Sequence, residues 1–149
     1  MPNVTFRAAA LVLALTVTAL PALAQDSAPK LDAAQMKAAV TTYYDAMNAG
    51  DLAKAKSVFA ANATVEDPVG GTRRPADAFI TGIFNAKPVF TVSMLTGSRT
   101  NLAAAATNLK RVGSEVNAIH IFTFNADGKI ANLTVYAGPG DRTPPLPER

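Results

Sequence analysis

The sequence has no cysteine, no tryptophan and a single histidine, His120. Without cysteine there are no disulfides, no thiolate zinc or iron–sulfur sites and no thiol nucleophile. One histidine leaves carboxylates as the main source of ligands for any metal, and no metal or cofactor is expected. Charge of one sign is equally scarce, with 14 Lys+Arg against 11 Asp+Glu and a formal net charge of +3. Arg73-Arg74 and Lys110-Arg111 are the only adjacent basic pairs, far short of a nucleic-acid footprint, so nucleic acid is excluded as a partner. No apolar run is long enough for a permanent membrane span.

What is present is one domain's worth of chain, 149 residues of which 49% are hydrophobic, enough for a single core. Arg7 precedes an apolar run from Ala8 to Leu20, followed by Pro21 and Ala22-Leu23-Ala24. This pattern predicts a secretory signal peptide over residues 1–24, cleaved after Ala24, and hence a periplasmic or secreted protein. Residues 25–31 form a polar leader. The folded domain is expected over 32–137, and 138–149, with Pro139, Pro144, Pro145 and Pro147, form a mobile tail.

Within the domain, Asp32 and Gln35 have capping-box spacing, and Met36, Val40, Tyr43 and Met47 recur at helical intervals until Gly50. Asp51 caps a second, shorter helix over Leu52, Ala55, Val58 and Phe59. Ala63 to Glu66 reads as a short strand ended by Pro68 and Gly70-Gly71. Pro75 opens a third helix through Phe79, Ile80, Ile83 and Phe84, broken by Pro88. Thereafter the period is two: strands are expected over Val89–Thr96, Ala104–Val112, Val116–Phe124 and Lys129–Tyr136, with a hairpin turn at Asn125-Ala126-Asp127-Gly128. Helices first and antiparallel strands after define an α+β domain, helices covering one face of a curved sheet.

Three residues could carry chemistry. Asp67, at the end of an apolar strand, is either a turn residue before Pro68 or a partly desolvated carboxylate able to act as a base. Glu66 beside it points to the opposite face of a regular strand. His120 lies on the face of Val116, Ala118, Phe122 and Phe124, as a hydrogen-bonded core histidine or as a donor into a cavity. Tyr43 falls on the apolar stripe of the first helix, where its ring is core and its hydroxyl either satisfied locally or directed at a developing oxyanion.

Two stretches bring these residues into one pattern. Tyr43 to Gly70, with Asn48-Ala49-Gly50-Asp51-Leu52 and Ala63-Thr64-Val65-Glu66-Asp67-Pro68-Val69-Gly70, closely resembles bacterial ketosteroid isomerase and aligns without a gap. Phe122 to Lys129 is similar to that family's penultimate hairpin. Residues between Ala86 and Ser114 match poorly.

The resemblance implies a cone-shaped fold of the nuclear-transport-factor-2-like, SnoaL-like superfamily, with three helices packed on a strongly curved, mostly antiparallel sheet over an apolar cavity. In that family an aspartate moves a proton beside a ketone while a tyrosine and a protonated aspartate donate to the enolate oxygen. By position the base falls on Asp67 and the tyrosine on Tyr43. The acidic donor falls on His120, which as a neutral imidazole can still donate one N–H, or could form an ion pair with Asp67. Phe84 stands where some members have a supporting tyrosine. Val65, Phe84, Phe122, Leu133 and Val135 are the expected substrate-binding lining.

The expected function is cofactor-free isomerisation of a steroid-like or polyketide-like apolar ketone by a homodimer. The alternatives are a non-catalytic apolar-ligand-binding module, or a cyclase, dehydratase or hydrolase using a His–Asp pair.

Overall fold

The computed structural model describes residues 31–67, 71–98 and 100–138. The expected signal peptide, most of the leader and nearly all of the Pro-rich tail lie outside the described residues, as do Pro68, Val69 and Gly70.

Helix α1 (Ala33–Ala49) begins as its sequence dictates: Asp32 Oδ1 accepts from Gln35 N at 2.7 Å, and Asp32 N donates to Gln35 Oε1 at 3.2 Å. Its buried residues include Met36, Val40, Tyr43 and Met47, the stripe expected from spacing, together with Tyr44 and Ala46. Gly50, at φ 75°, ends it in the left-handed conformation that glycine adopts without a Cβ penalty. Asp51 then caps α2 (Leu52–Ser57), accepting from Lys54 N at 2.9 Å.

Here the expected boundary is corrected. Val58 and Phe59 continue the helical spacing, yet the helix stops at Ser57 and Phe59 opens strand β1 (Phe59–Asp67). The reason is tertiary: Ile130 N donates to the Val58 carbonyl at 2.9 Å and Phe59 pairs with Ile130, so a parallel ladder takes over from the helix. A short exposed strand, β2 (Thr72–Pro75), follows and was not anticipated; it is held to β1 by register and by the Arg73–Glu66 ion pair at 3.2 Å. Helix α3 (Ala76–Asn85) starts after Pro75.

The remaining strands are β3 (Val89–Gly97), β4 (Leu102–Arg111), β5 (Ser114–Phe124) and β6 (Ile130–Ala137), each within two residues of its expected limits. The turn into β6 is built by Asn125, whose Oδ1 accepts from Asp127 N at 3.1 Å and Lys129 N at 2.9 Å. All six strands form one sheet in the order β2-β1-β6-β5-β4-β3, antiparallel except for β1 against β6.

Helix α1 packs on β3 and β4 at one side of this sheet and α3 on β1 and β2 at the other, with α2 touching both helices. The core lies between, closed by Met36, Tyr43, Met47, Ile80, Phe122, Ile130 and Leu133, all nearly inaccessible to solvent. Among the described residues no helix is long and apolar enough to cross a membrane.

Candidate active site

Strands deliver side chains to one face at every second residue, and all six strands contribute to one cavity. From β1 come Val65 and Asp67, from β5 Val116, Ala118 and His120, and from β6 Val135 and Ala137. Helix α1 contributes Tyr43, and α3 contributes Phe79 and Ile83. The cavity holds about 260 Å³, slightly below the usual range of small-molecule sites. Tyr43, Asp67 and His120, some 77 residues apart at the extremes of the chain segment, therefore line a common space. Glu66 is turned away and bonded to Arg73.

Three of the expected lining residues are placed differently. Phe122 and Leu133 are fully buried under the helices and line no part of this cavity, while Val65 on β1 and Val135, two residues beyond Leu133 on β6, do. Alternation identified the correct face of each strand; the helices cover one end of that face and leave the other open. Phe84 lines a separate groove with Met47, Asn48, Lys87 and Pro88 and is not among the residues lining the cavity of Tyr43.

The electrostatics follow from burial. Tyr43 is completely buried, its hydroxyl has no hydrogen-bond partner among the described residues, and desolvation raises its pKa above the ordinary phenol value. It remains a protonated, uncommitted donor. Burial likewise pushes His120 down to about 4, so the ring is neutral at pH 7. Its observed partner is Tyr44, whose hydroxyl oxygen lies 2.6 Å from Nδ1, the two rings stacked at 19°. Burial, with Tyr43 adjacent, also raises the Tyr44 pKa.

With Tyr44 as the donor to Nδ1, the ring carries its proton on Nε2. Nε2 is the ring nitrogen that this bond leaves unengaged, on a residue that lines the cavity. A neutral His120 held by Tyr44 does not supply the ion pair with Asp67 that the sequence left open.

Tyr44 was not singled out from sequence, although a signal existed. Met36, Val40 and Tyr44 recur every four residues, placing both tyrosines on the buried side of a wide apolar stripe. Among the described residues no group of three or more His, Asp or Glu side chains is arranged to hold a metal ion.

The fold and site together define an α+β protein whose helices and curved sheet enclose a cavity lined by Tyr43, Asp67 and His120. The chain belongs to the SnoaL-like domain family, which matches residues 40–133, from the middle of α1 to β6. It is 31% identical over 115 residues to a steroid Δ-isomerase of Nocardioides simplex, a match covering 72% of this chain and 94% of that relative.

Among solved structures, a ketosteroid isomerase-like protein of Kribbella flavida superposes with a TM-score of 0.67 at 21% identity, covering 79% of this chain and 91% of the other. The epoxide hydrolase/cyclase-like enzyme SalBIII, of pyran ring formation in salinomycin, gives 0.62 at 27% identity, covering 70% and 92%. A nuclear-transport-factor-2-like protein of Burkholderia xenovorans gives 0.62 at 21%, covering 78% and 96%. The fold is the nuclear-transport-factor-2-like α+β fold that the resemblance implied.

Proposed function

We propose that the protein catalyses cofactor-free proton transfer beside the carbonyl of an apolar, steroid-like ketone. Asp67 removes a proton from the carbon next to the carbonyl and returns it at the conjugated position. The Tyr43 hydroxyl and the His120 Nε2–H donate to the oxygen as it gains enolate character. The observation that carries this reading is the buried Tyr43 hydroxyl without a partner among the described residues, on the wall of a cavity shared with His120 and Asp67. Leaving a buried donor unsatisfied costs stability, and a ligand oxygen would satisfy it. The identity with the steroid Δ-isomerase of Nocardioides simplex supports the same reaction class.

The test is the ultraviolet absorbance of the conjugated ketone formed from 5-androstene-3,17-dione. Turnover is expected, with a fall of about 10²- to 10⁴-fold in Asp67→Asn, the range of a lost general base. Tight binding of an enolate-like phenol without turnover would instead leave a binding module. The likeness to SalBIII favours a second enzymatic reading, ring closure or hydrolysis by His120 and Asp67; it requires conversion of an epoxide substrate where the enone assay is silent.

Export and self-association complete the proposal. Cleavage after Ala24 would give a mature protein starting at Gln25, read by mass spectrometry of the periplasmic fraction. Val89, Met94, Ile119 and Tyr136 are exposed apolar residues on the sheet, and they support a homodimer, to be measured by light scattering.

A further inference from the structure

Two arginines lining the cavity have no part in proton transfer. Arg74 pairs with Val65 across the β1–β2 ladder, so it shares the cavity face with Val65 and Asp67, whereas Arg73 falls on the reverse face with Glu66. The Arg74 guanidinium lies 5.5 Å from the centre of the Phe79 ring, which fixes it against the cavity wall by cation–π attraction. Arg111 ends β4 on the face of Leu109, opposite Ser114, and its Nε donates to Ser114 Oγ at 2.6 Å. Both arginines are exposed and yet line the cavity, so they form its mouth; Tyr43 and His120, both buried, form its floor.

Charge and length then specify the ligand. The charged side chains among the described lining residues are Asp67, Arg74 and Arg111. With His120 neutral, they carry one net positive charge, which an uncharged ketone leaves uncompensated and a monoanion cancels. From His120 to Ser114, the partner of Arg111, β5 advances six residues, roughly 20 Å at the rise of an antiparallel strand. Less the reach of the arginine side chain, that contour separates the floor from the mouth by roughly the length of a ring system, which puts the guanidinium where a carboxylate at the ligand's far end would meet it.

We propose that the ligand is an apolar ketone with a carboxylate at the end remote from the carbonyl, recognised at the mouth by Arg111 and Arg74. This rests on the orientation of the proton-transfer reading, with the carbonyl at the floor.

The test is calorimetric titration with 3-oxochol-4-en-24-oic acid and with its methyl ester at low ionic strength. The acid is expected to bind about three- to tenfold more tightly, the range of a charge-assisted pair at a partly exposed rim. Added salt should erode the difference. In Arg111→Gln the acid-to-ester ratio should approach one while the ester still binds, and Arg111→Lys should keep part of the preference. Equal affinities in the wild type, a preference unchanged in both Arg111→Gln and Arg74→Gln, or no binding of either compound would overturn the proposal. An acid preference in a protein that turns over neither 5-androstene-3,17-dione nor 3-oxochol-5-en-24-oate would leave this recognition standing and remove the isomerase reading. Turnover without acid preference would do the reverse.

Discussion

The hydroxyl of Tyr44 on α1 lies 2.6 Å from Nδ1 of His120 on β5, and this bond decides which ring nitrogen can face a ligand. Tyr44→Phe removes the hydroxyl and leaves Nδ1 buried without its partner. We expect a loss of about 1–3 kcal/mol in unfolding free energy, the cost of an unsatisfied buried group. The ring is then free to place its proton on either nitrogen. Turnover should therefore fall by several-fold with KM little changed, and the ¹⁵N shifts of His120 should report mixed tautomers. An unchanged tautomer in the variant would contradict this role.

Burial of His120 also predicts how stability depends on pH. Its pKa is lowered from 6.5 to about 4 on folding, so between those values the unfolded chain binds more protons than the folded one. Stability then rises with pH across the window. The contribution is fully present above pH 6.5, declines as pH falls towards 4, and is on the order of 3 kcal/mol. Denaturant titrations at pH 7 and pH 4.5 should show a larger loss in the wild type than in His120→Gln. Equal losses would mean that the ring is not buried in its neutral form.

The contrast between these residues and Phe122 shows what a sequence can convey. Helical spacing marked Met36, Val40, Tyr43 and Met47 as one buried stripe, and strand alternation put His120 on the inner face of β5, because both follow from local geometry. The same alternation could not separate His120 from Phe122 or Val135 from Leu133. Each pair shares a face, and only the position of the helices along the strands decides which member meets the cavity. The end of α2 at Ser57 was hidden for a related reason, since the ladder partner of Phe59 is Ile130, distant in sequence. Arg74 and Arg111 first read as two unremarked members of basic pairs, and the strand register alone brings them to the cavity mouth.

Asn48 gives a prediction about how the site is fastened. Its Nδ2 donates to the Phe90 carbonyl at 2.9 Å and its Oδ1 accepts from Phe90 N at 2.7 Å, joining the last turn of α1 to the start of β3. Phe90 in turn lines the cavity and packs its ring 5.2 Å from that of Tyr44. Asn48→Ala should cost about 1–2 kcal/mol, the net value of two such bonds, read from the denaturant midpoint. Asn48→Asp, which keeps the acceptor and loses the donor, should fall between the two.

Tyr43 should show stability and activity moving apart. Its hydroxyl is buried and has no partner among the described residues, while its ring packs edge-on against Phe59 at 5.4 Å and Phe122 at 6.3 Å. Tyr43→Phe keeps those ring contacts and removes only the unsatisfied oxygen. The variant should be as stable as the wild type or more stable by up to about 1 kcal/mol, since an unmade hydrogen bond is no longer being desolvated. A donor directed at a developing enolate oxygen matters most when that charge forms, and losing one lowers kcat by about 10²- to 10³-fold. Unfolding and turnover measured on the same preparation make the comparison direct. A destabilised Tyr43→Phe would reveal a structural partner for the hydroxyl, and a stable variant with undiminished turnover would remove Tyr43 from the reaction.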